Sequence, residues 1–392
     1  MSAQRTRPVV FVVQYLETFE IVIPVVLGLR ELGVPVSIVV TAERDIMRHY
    51  SEDGEWYDHE RVGIVWDWLQ LNGFDPEPLL PAERGGDQVR VLDPFAVFLP
   101  SPYEDQRHPS LDPATLGLPI HYVDYGFHVD PEEASGWQFY DEFFKDCRSV
   151  YVANDYEAEC FHRGGVPEGI VVRSGSPALD HWDEYSGRAP VPTVMWCPWW
   201  STNGKMTGKA GYSTFLVTWR SMLAEFEARP HMRFIFRPHP LLMEHMRAQR
   251  LWSELDEQEF EQRMGALPTV TVANSFLASS HIPQFEQAWA MVTDGVSYLG
   301  EFSYTGKPLL LTEAPGNMGW NPVGAAIRSV VETSDYAERV PDFLDRVAAD
   351  VDPDHERRLE TVRSLYIRPP GGSGRAIARH LRDIAVEGAD SP

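Results

Sequence analysis

Short, unbroken apolar runs recur along this chain at intervals filled by helix-like stretches, and that pattern constrains its fold more than any other feature. Val9 to Val13, Val36 to Val40, Phe95 to Leu99, Ile120 to Val123, Ser149 to Ala153 and Ile170 to Val172 lie in the first half. Thr193 to Cys197, Arg233 to Phe236, Thr269 to Val272, Met291 to Thr293 and Leu309 to Leu311 follow in the second. Runs without polar alternation suit strands buried on both faces, the condition of a parallel sheet covered by helices. The first two runs flank an apolar-rich helix, Glu20 to Leu32, that stops at Gly33, so the chain opens as a βαβ unit. Further helices are expected at Ser213 to Ala228, Ile282 to Ala290, Tyr336 to Ala348, His355 to Tyr366 and Gly374 to Ile384. Ser186-Gly187-Arg188-Ala189-Pro190-Val191-Pro192 is small, proline-interrupted and aperiodic, which marks a linker. The fold expected is α/β, with two Rossmann-like doubly wound domains facing a cleft. Residues 1–186 form the first domain and 192–368 the second, and 369–392 form a closing helix and tail that pack back on the first.

A chain of 392 residues exceeds what one hydrophobic core usually serves, and 43% hydrophobic residues supply two. Lys and Arg number 34 against 58 Asp and Glu, so the net charge is 34 − 58 = −24. Such a field repels nucleic acid and disfavours peripheral attachment to anionic membranes. No apolar run is long enough to span a bilayer, and the first residues lead straight into a strand without the apolar core of a signal peptide, so a cytoplasmic protein is expected. Cys147, Cys160 and Cys197 are odd in number and lack metal-ligand spacing, so neither a disulfide framework nor a metal site is expected.

Two segments concentrate chemistry at predicted strand ends, where open α/β sheets place their ligands. In Phe234-Ile235-Phe236-Arg237-Pro238-His239-Pro240, two prolines stiffen the turn that carries Arg237 and His239. In Met291-Val292-Thr293-Asp294-Gly295-Val296-Ser297, Asp294-Gly295 turns a strand into a helix, whose first N–H groups and dipole favour an anion. Together they read as half of a nucleotide diphosphate site. Two nearby patterns fail. Gln14-Tyr15-Leu16-Glu17 follows the first strand where a dinucleotide fold would carry its glycine-rich turn. In the loop Ser201 to Lys209, three residues instead of four separate Gly204 from Gly208, and Ala210 stands where a P-loop needs Ser or Thr.

The order of these segments resembles the CDP-glycerol glycerophosphotransferase family of teichoic acid and capsule polymer synthesis. Arg237-Pro238-His239-Pro240 is similar to its Arg-x-His-Pro, Thr293-Asp294-Gly295-Val296-Ser297 to its Thr-Asp-Tyr-Ser-Ser, and Glu301 to Pro308 to its Phe-Asp-Tyr followed by Lys-Pro. Upstream, Ser174 to Asp180 resembles Gly-x-Pro-x-x-Asp, and Trp196-Cys197-Pro198-Trp199-Trp200-Ser201 resembles Trp-Thr-Pro-His-His-Ser. The resemblance covers the second half of the chain and implies a GT-B fold in which a CDP-linked donor is the substrate and a glycan or polyol-phosphate hydroxyl the acceptor. It implies no further cofactor.

On that resemblance His239 is a catalytic donor, as an imidazolium facing a leaving phosphate. Arg237 offers a planar fork to phosphate oxygens, and Ser297 holds the diphosphate. Asp294 acts on the phosphate side or simply caps the helix. Gly295 and Val296 depart from the family's Tyr and Ser. Glu301 occupies an acidic position suited to ribose hydroxyls. The family's His-Gly motif has its histidine replaced by Tyr125 before Gly126, which leaves Asp124 as the candidate base, with His121 or His128 as substitutes. Ser201, Lys205, Tyr125 and Asn321 are further candidates for acceptor or loop contacts. Two other readings stay open: a nucleotide-sugar glycosyltransferase on the same fold, and a degenerate member that binds a nucleotide or polymer without turnover.

Overall fold

The computed structural model describes residues 7–41, 43–44, 57–77, 84–103, 109–132, 136–201, 203–204, 209–273 and 280–389. The chain divides into two compact units: Met1–Tyr125, Gln138–His181 and Tyr366–Pro392 form the first, and Gly126–Trp137 and Trp182–Leu365 the second. Among the described residues no helix is long and apolar enough to cross a membrane.

The first unit is built on seven parallel strands: β1 (Val9–Val13), β2 (Val36–Val40), β3 (Pro76–Glu77), β4 (Ala96–Phe98), β5 (Ile120–Val123), β6 (Ser149–Val152) and β7 (Val171–Arg173). Their order across the sheet is β3-β2-β1-β4-β5-β6-β7. Central β1 is buried at every position, as its uninterrupted apolar sequence requires. Helix α1 (Leu16–Glu31) starts four residues before the sequence-based estimate and carries Pro24 in its interior. The last described helix, α6 (Ser373–Ala389), packs along it. Gly374 makes that approach possible, since a Cβ there would lie 2.4 Å from the Cβ of Pro24. Asp180 of the Gly-x-Pro-x-x-Asp-like segment accepts from the N–H groups of Ser373 and Gly374, each at 2.8 Å, and so satisfies orphan donors at the start of α6.

The second unit carries β8 (Thr193–Cys197), β9 (Arg233–Phe236), β10 (Val270–Val272), β11 (Ala290–Thr293), β12 (Leu309–Glu313) and β13 (Glu332–Asp335), in the order β10-β9-β8-β11-β12-β13. The chain runs outward from β8 through β9 to β10, then returns to the other side of β8 with β11. That reversal places the topological switch point between β8 and β11, the position at which open α/β sheets place their ligands. The core is aromatic: Trp196 lies 4.8 Å from Phe236, and Phe226 of α2 (Phe215–Ala228) stacks on Phe234 at 4.1 Å.

Segment Gly126–Trp137 groups with this second unit, although sequence reading assigned it to the first domain. The cause is local bonding. The Asn321 side chain donates to the His128 carbonyl at 2.8 Å, and its N–H donates to the Val129 carbonyl at 3.0 Å. Gly324 sits so close to that segment that a Cβ would meet the Val129 oxygen at 2.2 Å.

Candidate functional site

At the switch point β11 ends in Thr293 and Asp294, and both side chains turn back into the unit. Thr293 Oγ1 donates to the Cys197 carbonyl at 2.7 Å and accepts from the Gly295 N–H at 2.8 Å. Asp294, 2% exposed, accepts from the Trp199 N–H through Oδ1, and from the Thr214 N–H and hydroxyl through Oδ2, the last at 2.8 Å. This corrects the sequence-based alternatives for Asp294: it neither caps the following helix nor presents itself to a phosphate. It ties the loop after β8 and the start of α2 to the end of β11. Burial raises its pKa to about 6, against the opposing effect of these hydrogen bonds.

The helix that follows, α4 (Val296–Tyr304), is capped by Gly295 without any side-chain bond. Its first N–H groups, at Val296, Ser297 and Tyr298, have no intrahelical acceptors. The Ser297 hydroxyl makes no hydrogen bond in the structure. Burial drives the Tyr298 phenol pKa upward, so it stays protonated. Its oxygen accepts from Arg237 Nε at 2.7 Å.

Arg237 itself is 0% exposed, and it also donates through Nη1 to Gln284 of α3 (Ile282–Gln287) at 3.0 Å. The planar fork expected to face phosphate is thus turned inward, where it braces α3 and α4 against the end of β9. Its link to the site is through Tyr298.

His239 lies just beyond β9, and its backbone N–H donates to the Pro198 carbonyl at 2.9 Å. Its Nδ1 accepts from the Leu241 N–H at 3.1 Å, so the neutral ring carries its proton on Nε2. The indole of Trp199 meets the imidazole in an edge-to-face contact at 4.4 Å between centroids, and Trp200 lies at 6.1 Å. Burial lowers the His239 pKa to about 3. The expected imidazolium is therefore replaced by a neutral Nε2–H donor, since desolvation penalises the charged ring.

Glu301, expected at ribose, lies on the buried side of α4. Its Oε1 meets His281 Nε2 at 2.8 Å and accepts from Trp182 Nε1 at 3.3 Å. One carboxylate oxygen is thus already held by protein. Ser201 is 9% exposed, and its Oγ is buried without a hydrogen-bond partner. Lys205 lies outside the described residues. Asn321 does not face a ligand: besides bonding the 128–129 backbone, its Oδ1 accepts from the Gly324 N–H at 2.9 Å and caps α5 (Pro322–Arg328).

Asp124 and Tyr125 follow β5 in the first unit. Burial first, and Tyr103 second, push the Tyr125 phenol well above its ordinary pKa, so it is not a base. Tyr103 stands edge-on to it at 6.4 Å and donates to Gln138 at 2.6 Å. His121 cannot substitute as base, because it is 0% exposed within β5 and burial lowers its pKa to about 3. His128 belongs to the second unit, beneath Asn321.

Sequence reading missed Trp199, Thr214, His281 and Tyr298. Trp199 carried a visible signal, standing where the resembled family has histidine, and Thr214 lies in Ser213-Thr214-Phe215-Leu216, which continues the same register. Among the described residues no group of three or more His, Cys, Asp or Glu side chains is arranged to hold a metal ion.

No protein-family model and no curated protein matches the chain in sequence. Solved structures do match in fold. A putative UDP-N-acetylglucosamine 2-epimerase from Listeria monocytogenes aligns with TM-score 0.63 and 11% identity, over 99% of this chain and 98% of that one. The UDP-GlcNAc 2-epimerase from Neisseria meningitidis, bound to UDP-GlcNAc, aligns with TM-score 0.56 and 12% identity, over 97% and 99%. The wall teichoic acid polymerase TagF aligns with TM-score 0.56 and 9% identity, over 99% of this chain and 90% of that one. The shared class is a GT-B-type α/β protein with two Rossmann-like units.

Proposed function

We propose that this protein is a cytoplasmic enzyme that binds a nucleoside-diphosphate-linked donor in its second unit and transfers a polyol-phosphate group from a CDP-linked donor to a hydroxyl acceptor. One observation carries the reading. Neutral donors line the ends of adjacent strands β8, β9 and β11: the Ser201 hydroxyl, His239 Nε2–H, the Ser297 hydroxyl and the first N–H groups of α4. Such an array suits a diphosphate, which supplies acceptors and full negative charge in return.

In this reading the acceptor oxygen attacks the β-phosphorus, the bond from that phosphorus to the bridging oxygen breaks, and CMP departs. His239 Nε2–H hydrogen-bonds the departing phosphate, while the start of α4 holds the charge present throughout. The proton of the acceptor hydroxyl passes to a base, for which Asp124 is the candidate on the acceptor side. Such transfer rests on positioning and charge stabilisation, which fixed donors provide without reorganising.

The aromatic wall at Trp199 favours a second reading, a nucleotide sugar as donor, and the likeness to epimerase structures agrees with it. Incubation with CDP-glycerol, CDP-ribitol and UDP-linked sugars, with an acceptor panel, separates the two. Release of CMP with a transferred phosphate supports the first, and release of a nucleoside diphosphate or an altered sugar supports the second. Binding of none of these donors would overturn both.

A further inference from the structure

Trp199 and Trp200 are adjacent in sequence, and the fold uses them differently. Trp200 packs against the aromatic core of the second unit and meets His245 edge-on at 5.3 Å. Trp199 does not join that core. Its backbone N–H is held by Asp294, which fixes the residue at the switch point. Its indole meets His239 edge-to-face and reaches the N-cap of α4, where Cε3 would lie 3.5 Å from a Cβ built on Gly295. The ring is only partly buried, and its Nε1–H makes no hydrogen bond in the structure. A large aromatic is thus held at its backbone outside the core, partly exposed and beside the donors at the ends of β8, β9 and β11. Two residues on, the buried Ser201 hydroxyl has no hydrogen-bond partner among the described residues.

Gly295 completes the arrangement. A Cβ there would press to 3.0 Å on Thr293 Oγ1, the atom that bonds the Gly295 N–H, and would lie in ordinary van der Waals contact with the indole, so glycine keeps the turn beside Trp199 uncrowded.

Resting on the reading of the second unit as the nucleotide-binding half, we propose that Trp199 is a substrate-specificity residue that stacks on a neutral pyranose ring next to the bound diphosphate. An indole offers a broad apolar face with a donor at its edge, which matches the C–H face and rim hydroxyls of a pyranose. An acyclic glycerol unit has no such face. A polyanionic acceptor would gain nothing from it, and the chain's net charge of −24 opposes one. The ring belongs either to the donor, as its glycosyl group, or to the acceptor.

The test uses the full-length protein and its Trp199→Ala and Trp199→Phe variants, with thermal unfolding as a check on folding. Calorimetry measures CDP, UDP, CDP-glycerol and UDP-N-acetylglucosamine. Saturation-transfer NMR measures neutral methyl glycosides with and without CDP. Trp199→Ala is expected to leave CDP, UDP and CDP-glycerol within about twofold while weakening one ring-bearing probe about tenfold, with Phe restoring most of the loss. Loss in the nucleotide-sugar arm assigns the ring to the donor, and loss in the glycoside arm assigns it to the acceptor. Equal loss for bare nucleotides and ring-bearing probes, or no loss in either ring arm, overturns the proposal. If the wild-type protein binds no nucleotide, the nucleotide reading falls. The glycoside arm without CDP then decides the role of Trp199 by itself, with binding weakened in Trp199→Ala in its favour and no binding against it.

Discussion

The backbone N–H of Leu241 donates to Nδ1 of His239 at 3.1 Å, and this bond sets which nitrogen of the ring faces outward with a proton. With its pKa lowered to about 3 by burial, His239 stays neutral across the physiological range. A mechanism using the neutral form shows no loss of activity attributable to His239 as pH rises through 6.5. A mechanism using an imidazolium of ordinary pKa loses activity there. Nitrogen-15 NMR of the ring at pH 6 should report a protonated Nε2 and a bare Nδ1. His239→Ala should lower turnover by roughly two to three orders of magnitude, the scale of one preorganised donor.

Asp294 holds three donors from two loops, so Asp294→Asn turns an N–H₂ toward at least one N–H. Denaturant unfolding should show a loss of about 1–3 kcal/mol, the range for a buried donor left unpaired. Nucleotide affinity should fall with it, because the loop bearing Trp199 loosens. The pH dependence has a definite sign. A carboxyl raised from 3.8 to about 6 binds more protons in the folded state, so this group alone makes the protein more stable as pH falls from about 6 toward 3.8. Asn removes that slope. An unchanged slope in the variant would show that Asp294 is not buried as described.

His121 works in the opposite direction. It is fully buried in the first unit, 3.3 Å from the Tyr151 hydroxyl, with Nε2 left without a partner. A histidine lowered from 6.5 to about 3 binds fewer protons folded than unfolded, so stability is lost as pH falls through that window. Between neutrality and pH 5 the loss is about 2 kcal/mol. His121→Phe should flatten this part of the stability curve, measured by denaturant unfolding at pH 5 and pH 8. A variant as acid-labile as the wild type would refute the assignment.

Glu301 is held at Oε1 by His281 and Trp182. If Oε2 receives a ribose hydroxyl, Glu301→Gln should weaken CMP binding about tenfold or more, as expected for a lost hydrogen bond to a charged group, while weakening binding of the 2′,3′-dideoxy analogue little. His281→Leu should produce the same selective loss in milder form. Equal losses for both nucleotides would restrict Glu301 to a structural role.

The apolar runs that become β1, β8, β9 and β11 were legible because strands buried on both faces leave no room for polar alternation. The edges were not. β3 has two residues and β13 reads Glu-Thr-Ser-Asp, so neither carries an apolar signal. Motif order singled out His239 and Ser297, which the structure sets just after β9 and at the start of α4. The role of Asp294 stayed hidden because its partners Thr214 and Trp199 lie 80 and 95 residues away. Arg237 was misjudged for the same reason: its inward orientation depends on Gln284 and Tyr298, which packing alone brings to it.

Because α6 belongs with α1 and is secured by Asp180, the first unit draws on both the early and the late parts of the chain. During synthesis, residues 182–365 emerge before the segment that completes the first unit. The second unit is thus free to fold while the first, already partly made, waits with an exposed apolar flank on α1. Contacts so distant in sequence form slowly, and waiting intermediates of this kind are prone to aggregation. The order of folding therefore runs against the order of the chain, and shortening α6 should lower the yield of folded protein far more than it perturbs the second unit.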